Sequence, residues 1–266
     1  MSILEEILVH KSKELAEQRE IIPIKSLEKS IYFNTPIVSM KKYLRREDKV
    51  GIIAEIKRSS PSQGVINSQI DVEQLSIAYI QAGASALSVL TDNKYFGGST
   101  QDVQTARKFN YCPILRKEFI IDEYQLIEAR SMGADCILLI ASALPEKRCK
   151  ELARFAQELG LEVLLEVHNK EELDSHLSVG IDIVGVNNRN LHDFTTSIDR
   201  SIALAEYIPT EFVKISESGI AKAKDIVALK AHGFEGFLIG THFMNHAHPD
   251  LVCAKLVREV KNLERL

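Results

Sequence analysis

Glu55 and Lys57 stand two residues apart in the run Ala54-Glu55-Ile56-Lys57-Arg58-Ser59-Ser60-Pro61-Ser62, directly after the apolar Val50-Gly51-Ile52-Ile53. In an extended chain alternate side chains share a face, so this acid and this ammonium point the same way. Both charges on one face of a buried strand are costly unless the strand end opens into a cleft. Three more apolar runs end in charge: Pro113-Ile114-Leu115-Arg116-Lys117, Val163-Leu164-Leu165-Glu166 and Phe212-Val213-Lys214-Ile215-Ser216-Glu217. Lysines and carboxylates gathered on one rim can move protons and stabilise charge as it develops on a substrate.

The elements that must position these groups recur regularly. Short apolar runs at Val50–Ile56, Ala86–Leu90, Pro113–Arg116, Cys136–Ile140, Glu162–Glu166, Ile183–Asn187, Phe212–Ser216 and Gly236–Ile239 read as strands. Helix-period segments follow them near Val72–Gln81, Gln101–Phe109, Tyr124–Ser131, Glu146–Leu159, Lys170–Leu177, Ile198–Tyr207, Lys222–Ala231 and Leu251–Asn262. Eight strand–helix units predict an α/β protein, a single (β/α)₈ TIM barrel. The rival is a doubly wound open sheet, which usually carries a glycine-rich turn after its first strand. Here that turn is Arg58-Ser59-Ser60-Pro61-Ser62-Gln63-Gly64, no dinucleotide fingerprint. Residues 1–48 lie outside the repeat and read as an N-terminal helical extension packed on a catalytic barrel of residues 49–266. The segment from Ile3 through Glu20 has the pattern of an amphipathic helix lying across one barrel end. Deleting residues 1 to about 40 is expected to weaken substrate binding more than barrel folding.

In such a barrel the active groups come from the C-terminal strand ends. That rule selects Glu55 and Lys57 (strand one), Lys117 (three), Glu166 (five), Asn187 (six) and Glu217 (seven). Any one of them alone could be an ordinary rim ion pair; two lysines and three carboxylates converging are harder to explain so. Alternation also turns Leu138 and Ile140 of strand four inward. The exits Ser216-Glu217-Ser218-Gly219-Ile220 and Leu238-Ile239-Gly240-Thr241 bring glycines to the loops that hold phosphate in barrels of this type. Ser60 could add a hydroxyl. The residues alone thus indicate acid–base chemistry on a small phosphorylated metabolite.

Other classes find little support. The formal net charge of −4 gives no general attraction to nucleic acid or acidic membrane. The basic run Lys41-Lys42-Tyr43-Leu44-Arg45-Arg46 is short, meets Glu47-Asp48, and reads as a solvated face near the substrate mouth. No bilayer-length apolar stretch and no signal peptide is evident, so a cytoplasmic protein is expected. The four cysteines lack zinc-type spacing, and Cys136 reads as a buried hydrophobe. His242, His246 and His248 crowd one segment, but no carboxylate or cysteine completes a metal set nearby. His168 follows Glu166 by two and reads as structural or as a support behind the catalytic groups, and Ser216, Ser218 and His192 form no evident nucleophilic triad.

Six segments carry a family resemblance. These are the Ala54–Ser62 run, Leu90-Thr91-Asp92-Asn93-Lys94-Tyr95-Phe96-Gly97-Gly98-Ser99, Leu115-Arg116-Lys117-Glu118-Phe119-Ile120, Leu165-Glu166-Val167-His168-Asn169, Val186-Asn187-Asn188-Arg189-Asn190-Leu191 and Ser216-Glu217-Ser218-Gly219-Ile220. In order and spacing they resemble the motifs of indole-3-glycerol-phosphate synthase. The resemblance implies cyclisation of 1-(2-carboxyphenylamino)-1-deoxyribulose 5-phosphate, with loss of carbon dioxide and water, in tryptophan biosynthesis. It implies Lys117 as general acid on the ketone and Lys57 as holder of the substrate carboxylate and acid in the later dehydration. Glu166 would stabilise the developing cation or assist proton transfer, Glu55 would partner Lys57, and Asn187 and Glu217 would orient hydroxyls and charges. Ser60, Ser218, Gly219, Gly240 and Thr241 would bind the phosphate side, with Arg189 helping the carboxylate.

The aniline ring needs an apolar slot, expected from Phe96, Phe119 and Leu191, with Leu138 and Ile140 taken as plain core. A lysine crowded by another cation is expected to have its pKa lowered toward working pH. No metal or organic cofactor is needed, the partner is the small phosphorylated substrate, and a monomeric state stays open. Two departures stand out: Gly240-Thr241 where the family usually has Gly-Ser, and Glu118 where aspartate is usual. Glu118 is expected to face away from the barrel axis, so that little rides on it. The alternatives are another phosphate-binding barrel enzyme such as phosphoribosylanthranilate isomerase, which wants an Asp/Cys pair, or a non-catalytic barrel that binds phosphometabolites.

Overall fold

The structure, a computed structural model, describes residues 2–190 and 194–265. Eight parallel strands close into a barrel: Ile52–Ile56, Ala86–Leu90, Ile114–Lys117, Cys136–Ile140, Glu162–Val167, Ile183–Asn187, Val213–Glu217 and Gly236–Ile239. They are called the first to eighth strands below. The first pairs with both the second and the eighth, so the sheet has no free edge. Each strand is followed by helix, as the alternation predicts, and the fold is the (β/α)₈ TIM barrel.

Differences from the predicted elements are local. The first strand begins at Ile52 because Gly51 has φ +93° and sits so close to the Glu235 carbonyl that no side chain fits. The third strand runs one residue further than predicted, to Lys117, and the seventh to Glu217. Two four-residue helices that the periodicity is too short to announce follow the second and eighth strands, Asn93–Phe96 and Thr241–Met244. The segment predicted as one helix over Ile198–Tyr207 is an α-helix at Asp199–Leu204 that tightens into a 3₁₀ turn at Ala205–Tyr207.

Alternation divides the core in two. Outward side chains such as Ile52, Val89, Leu139, Val163 and Val184 pack under the helices. Inward ones, including Ile53, Leu115, Leu138, Leu164, Ile183 and Ile215, fill the barrel. The last inward position on several strands is polar, and there the packed interior becomes a site.

The N-terminal segment touches both barrel ends. Helix α1 (Ile3–Ile21) opens on a Ser2–Glu5 capping box and crosses the C-terminal mouth. Helix α2 (Ile24–Leu27) and the turns after it descend beside helix Glu123–Met132, where Ser30 Oγ donates to the Ser131 carbonyl at 2.5 Å. Helix α3 (Met40–Leu44) then closes the opposite end, with Met40 and Leu44 buried in the inner cluster. Glu162, the first residue of the fifth strand, accepts from Ser39 Oγ at 2.5 Å and from the Met40 N–H at 2.7 Å. Lys41 pairs with Asp182 at 2.5 Å. A deletion of residues 1 to about 40 therefore removes the cover of the mouth and, at the floor, the Ser39 and Met40 contacts with Glu162, while Lys41 and Leu44 stay in place.

Candidate active site

The C-terminal mouth encloses a cavity of about 530 Å³. Glu55, Lys57, Lys117, Glu166, Asn187 and Glu217 all line it, delivered by five strands. So do Ser60, Phe96, Phe119, Arg189, Ser218, Gly219, Gly240 and Thr241. Leu191 lies outside the described residues.

Lys117 is the centre of the charged cluster. Its ammonium donates to Glu166 Oε2 at 2.8 Å and to Glu217 Oε2 at 2.6 Å. Across the mouth, Lys57 pairs with Glu55 at 2.6 Å. Two glycines make room for the carboxylates. A Cβ on Gly185 would lie 2.4 Å from Glu217 Oε1, and one on Gly240 would lie 2.1 Å from Glu55 Oε1.

Burial opposes the charge on Lys117, yet the Glu166, Glu217 and Glu55 carboxylates outweigh it, so its pKa is raised. The expectation of a lysine lowered by a second cation is wrong here, because its contacts are carboxylates. The two glutamates diverge. Burial disfavours the Glu166 anion, but Lys117, His168 and Asn187 more than offset it and hold its pKa low. Burial dominates at Glu217; Lys117 helps its anion while Glu166 and Glu55 repel it, and its pKa is raised. Their partners explain the split: Glu166 Oε1 accepts from Asn187 Nδ2 at 3.1 Å, whereas Glu217 Oε1 is buried without a hydrogen bond among the described residues.

The loops divide the cavity into two ends. After the first strand, Ser59–Ser60 and Gly64–Val65 form a short antiparallel ribbon. Arg58 ties it to the next loop, donating to Asp102 at 2.6 and 3.0 Å and to the Gly97 carbonyl at 2.9 Å. After the seventh strand, Ser218 and Gly219 both have positive φ, 68° and 75°. Asn188 fixes that turn, donating to Ser216 Oγ at 2.9 Å and the Ser218 carbonyl at 3.0 Å while its own Oδ1 accepts from Ser201 Oγ at 2.8 Å. A strained, glycine-bearing turn beside Gly240 and Thr241 turns backbone toward the cavity, as anion sites do. At the other end the Phe96 and Phe119 rings pack 6.0 Å apart at 40°, forming an apolar wall.

Sequence reasoning missed part of this wall. Leu138 and Ile140, taken as plain core, line the cavity too. Ile3, Leu4 and Ile7 of α1 complete it from above. No local motif announces that contribution; the signal was the apolar stripe of the first helix. Glu118, expected to matter little, is buried and holds α1 in place. It lies 3.1 Å from Lys11 Nζ, accepts from Thr91 Oγ1 at 2.7 Å and from the Phe119 N–H at 2.8 Å. Lys11, itself 2% exposed, also pairs with Asp92 at 3.0 Å and Glu14 at 2.6 Å. Burial opposes its charge, but these three carboxylates raise its pKa overall. His168, expected to be structural or a support behind the catalytic groups, lines the cavity with Nε2 4.0 Å from Glu166 Oε1.

A family model described as indole-3-glycerol phosphate synthase matches residues 4–256. The chain belongs to the indole-3-glycerol phosphate synthase family. An indole-3-glycerol phosphate synthase of Bacteroides thetaiotaomicron is 49% identical over 247 residues, covering 93% of this chain and 94% of its own. One from Laribacter hongkongensis is 41% identical over 258 residues, covering 96% and 98%. Among solved structures, a mutant tryptophan synthase alpha-subunit of Pyrococcus furiosus superposes with a TM-score of 0.60 at 16% identity, covering 81% of this chain and 99% of that one. At that identity the likeness shows the shared barrel alone. Family membership agrees with the Glu55-x-Lys57 ending of the first strand, which an Asp/Cys isomerase would not need. Among the described residues no helix is long and apolar enough to cross a membrane.

Proposed function

We propose that the chain converts 1-(2-carboxyphenylamino)-1-deoxyribulose 5-phosphate to indole-3-glycerol phosphate, as a cytoplasmic carboxy-lyase that needs no cofactor. The carrying observation is Lys117 held between two buried carboxylates of unequal basicity, opposite a second lysine–carboxylate pair in one cavity. The ring carbon bearing the carboxylate attacks the ketone, and Lys117 gives its proton to the oxygen as the new bond forms. A raised ammonium is still a far stronger acid than the alcohol that the alkoxide becomes, so the transfer runs downhill. Carbon dioxide then leaves and restores the aromatic ring. In the dehydration, Lys57 protonates the departing hydroxyl and Glu166, held as the anion, accepts a C–H proton.

Asn187 and Glu217 orient the acid and the base, and Arg189 serves the carboxylate before it is lost. Ser60, Ser218, Gly219, Gly240 and Thr241 take the phosphate; threonine keeps both the hydroxyl and the backbone N–H of the family's usual serine. The aromatic ring lies against Phe96 and Phe119. The residue set from 1 to 48 acts as an extension of the catalytic barrel at 49–266. The direct experiment is incubation of the purified chain with that substrate while indole absorbance and carbon dioxide release are followed. Absence of both refutes the assignment.

A further inference from the structure

His168 immediately follows the fifth strand, and its side chain is nine-tenths buried. Its Nδ1 lies 3.3 Å from Glu172 Oε2, and its backbone N–H donates to the same oxygen at 2.7 Å. Glu172 is fixed in turn by the cap of helix Lys170–His176. Asn169 accepts from the Glu172 N–H at 2.8 Å and donates to Glu172 Oε1 at 3.2 Å. The second ring nitrogen, Nε2, is buried without a hydrogen-bond partner among the described residues and stands 4.0 Å from Glu166 Oε1. An unpaired buried nitrogen is costly unless another state of the site satisfies it.

Substrate supplies such a state. Glu166 depends on Lys117 for its only ammonium contact in the cluster, and under the proposed function Lys117 must turn toward the ketone oxygen. Glu166 then keeps only the neutral Asn187 amide. Moving His168 Nε2 by about 1 Å brings it into hydrogen-bond range of Oε1. We propose that the Glu172–His168 pair positions Glu166, closing on its free lone pair when Lys117 engages substrate so that the carboxylate stays ionised and aimed for the C–H proton. The charged groups around the imidazole favour this. Burial opposes an imidazolium, but Glu172 and Glu166 more than compensate and its pKa is raised, against a smaller opposing effect of Arg200. His168 is thus a positioning residue that acts through Glu166; it need not touch substrate.

The inference rests on the assigned reaction, so its test has one arm that needs no turnover. In the intact chain, NMR titration of the His168 imidazole is compared between wild type and Glu166→Gln. The midpoint is expected to fall by about half a pH unit or more when the facing carboxylate is neutralised, and an unchanged midpoint overturns the pairing. In the second arm, His168→Asn and Glu172→Gln are each expected to lower kcat about tenfold with KM within about threefold. His168→Asn should also move the acid limb of the kcat profile to higher pH, because Glu166 then binds a proton more readily. A change in KM alone, or an acid limb that stays put, overturns the proposal. Wild type that forms no indole product refutes the reaction assignment and leaves the imidazole titration to decide the pairing.

Discussion

Replacing Lys117 by methionine tests the charge arrangement and the chemistry together. The substitution keeps an unbranched side chain of similar reach and removes the ammonium that Glu166 and Glu217 share. Breaking a buried pair by deleting one partner costs about 3–5 kcal/mol. The lower figure applies here, because Glu217 already has a raised pKa and can take up a proton. At about 2–4 °C per kcal/mol for a chain of this size, Tm should fall by about 6–12 °C at pH 8.

The pH dependence follows from signs. In the variant the two carboxylates lose their cation, so their folded pKa values rise above the unfolded value, and the penalty is complete only above those raised values. It shrinks as pH falls toward the unfolded value. Wild type changes oppositely at Glu166, whose lowered pKa contributes stability above the unfolded value that is lost as pH falls through the folded one. The first effect narrows the gap in Tm between pH 8 and 5, and the second adds to it only below the unfolded carboxylate value. A gap that is constant or widens below pH 6 would refute the electrostatic account. In the same variant kcat should drop by about 10²–10⁴, as for loss of a general acid, with substrate Kd within about tenfold. Calorimetric scans from pH 5 to 8 and indole fluorescence read the two halves separately, and retained turnover would remove Lys117 from the role of acid.

Three further outcomes are expected. Lys11→Met leaves Asp92 and Glu118 buried without their shared ammonium, so amide exchange over Ile3–Ile21 should quicken and kcat/KM fall, while exchange in the barrel strands is unchanged; unaltered exchange in that helix contradicts the anchoring. Gly240→Ala drives a methyl into Glu55 Oε1, disturbing both the Glu55–Lys57 pair and the phosphate end, so KM should rise and kcat fall together; wild-type kinetics would show that the pocket has slack there. Ser218→Val places a β-branched residue at φ 68°, where such side chains are strained, and should cost about 1–2 kcal/mol in urea unfolding while raising KM; an unchanged unfolding midpoint would contradict the strained turn.

What could be read from the sequence were features that repeat or alternate. Strand spacing implies the barrel, and period-two alternation sends Glu55, Lys117, Glu166, Asn187 and Glu217 to one mouth. Groups whose meaning depends on partners far away in sequence stayed illegible. Lys11 looks like a solvated helix charge until Asp92 and Glu118, 81 and 107 positions later, are seen around it. Glu118 was set aside because alternation turns it from the axis, yet that direction is where the covering helix sits. The ionisation of Lys117 was misjudged for the same reason: sequence reveals that charges converge but not which ones touch.

The order of loops around the closed barrel gives the cavity a direction. The seventh, eighth and first strands are neighbours, and their exits carry Ser218-Gly219, Gly240-Thr241 and Ser60. The second and third strands lie beyond the first and carry Phe96 and Phe119, with the helix above them supplying Ile3, Leu4 and Ile7. A molecule with a phosphate at one end and an aromatic ring at the other must therefore stretch across the mouth. Under the proposed function its middle carbons lie over the Lys117–Glu166–Glu217 cluster, where the ketone would take a proton and a neighbouring carbon would lose one. A substrate without the phosphate loses one anchor only, so its KM should rise far more than its kcat falls. The covering helix reaches the cavity with the apolar side chains Ile3, Leu4 and Ile7, so loosening it through Lys11→Met should weaken binding of a ring-bearing analogue while leaving inhibition by inorganic phosphate unaltered. Equal weakening of both ligands would mean that the two ends are not separate.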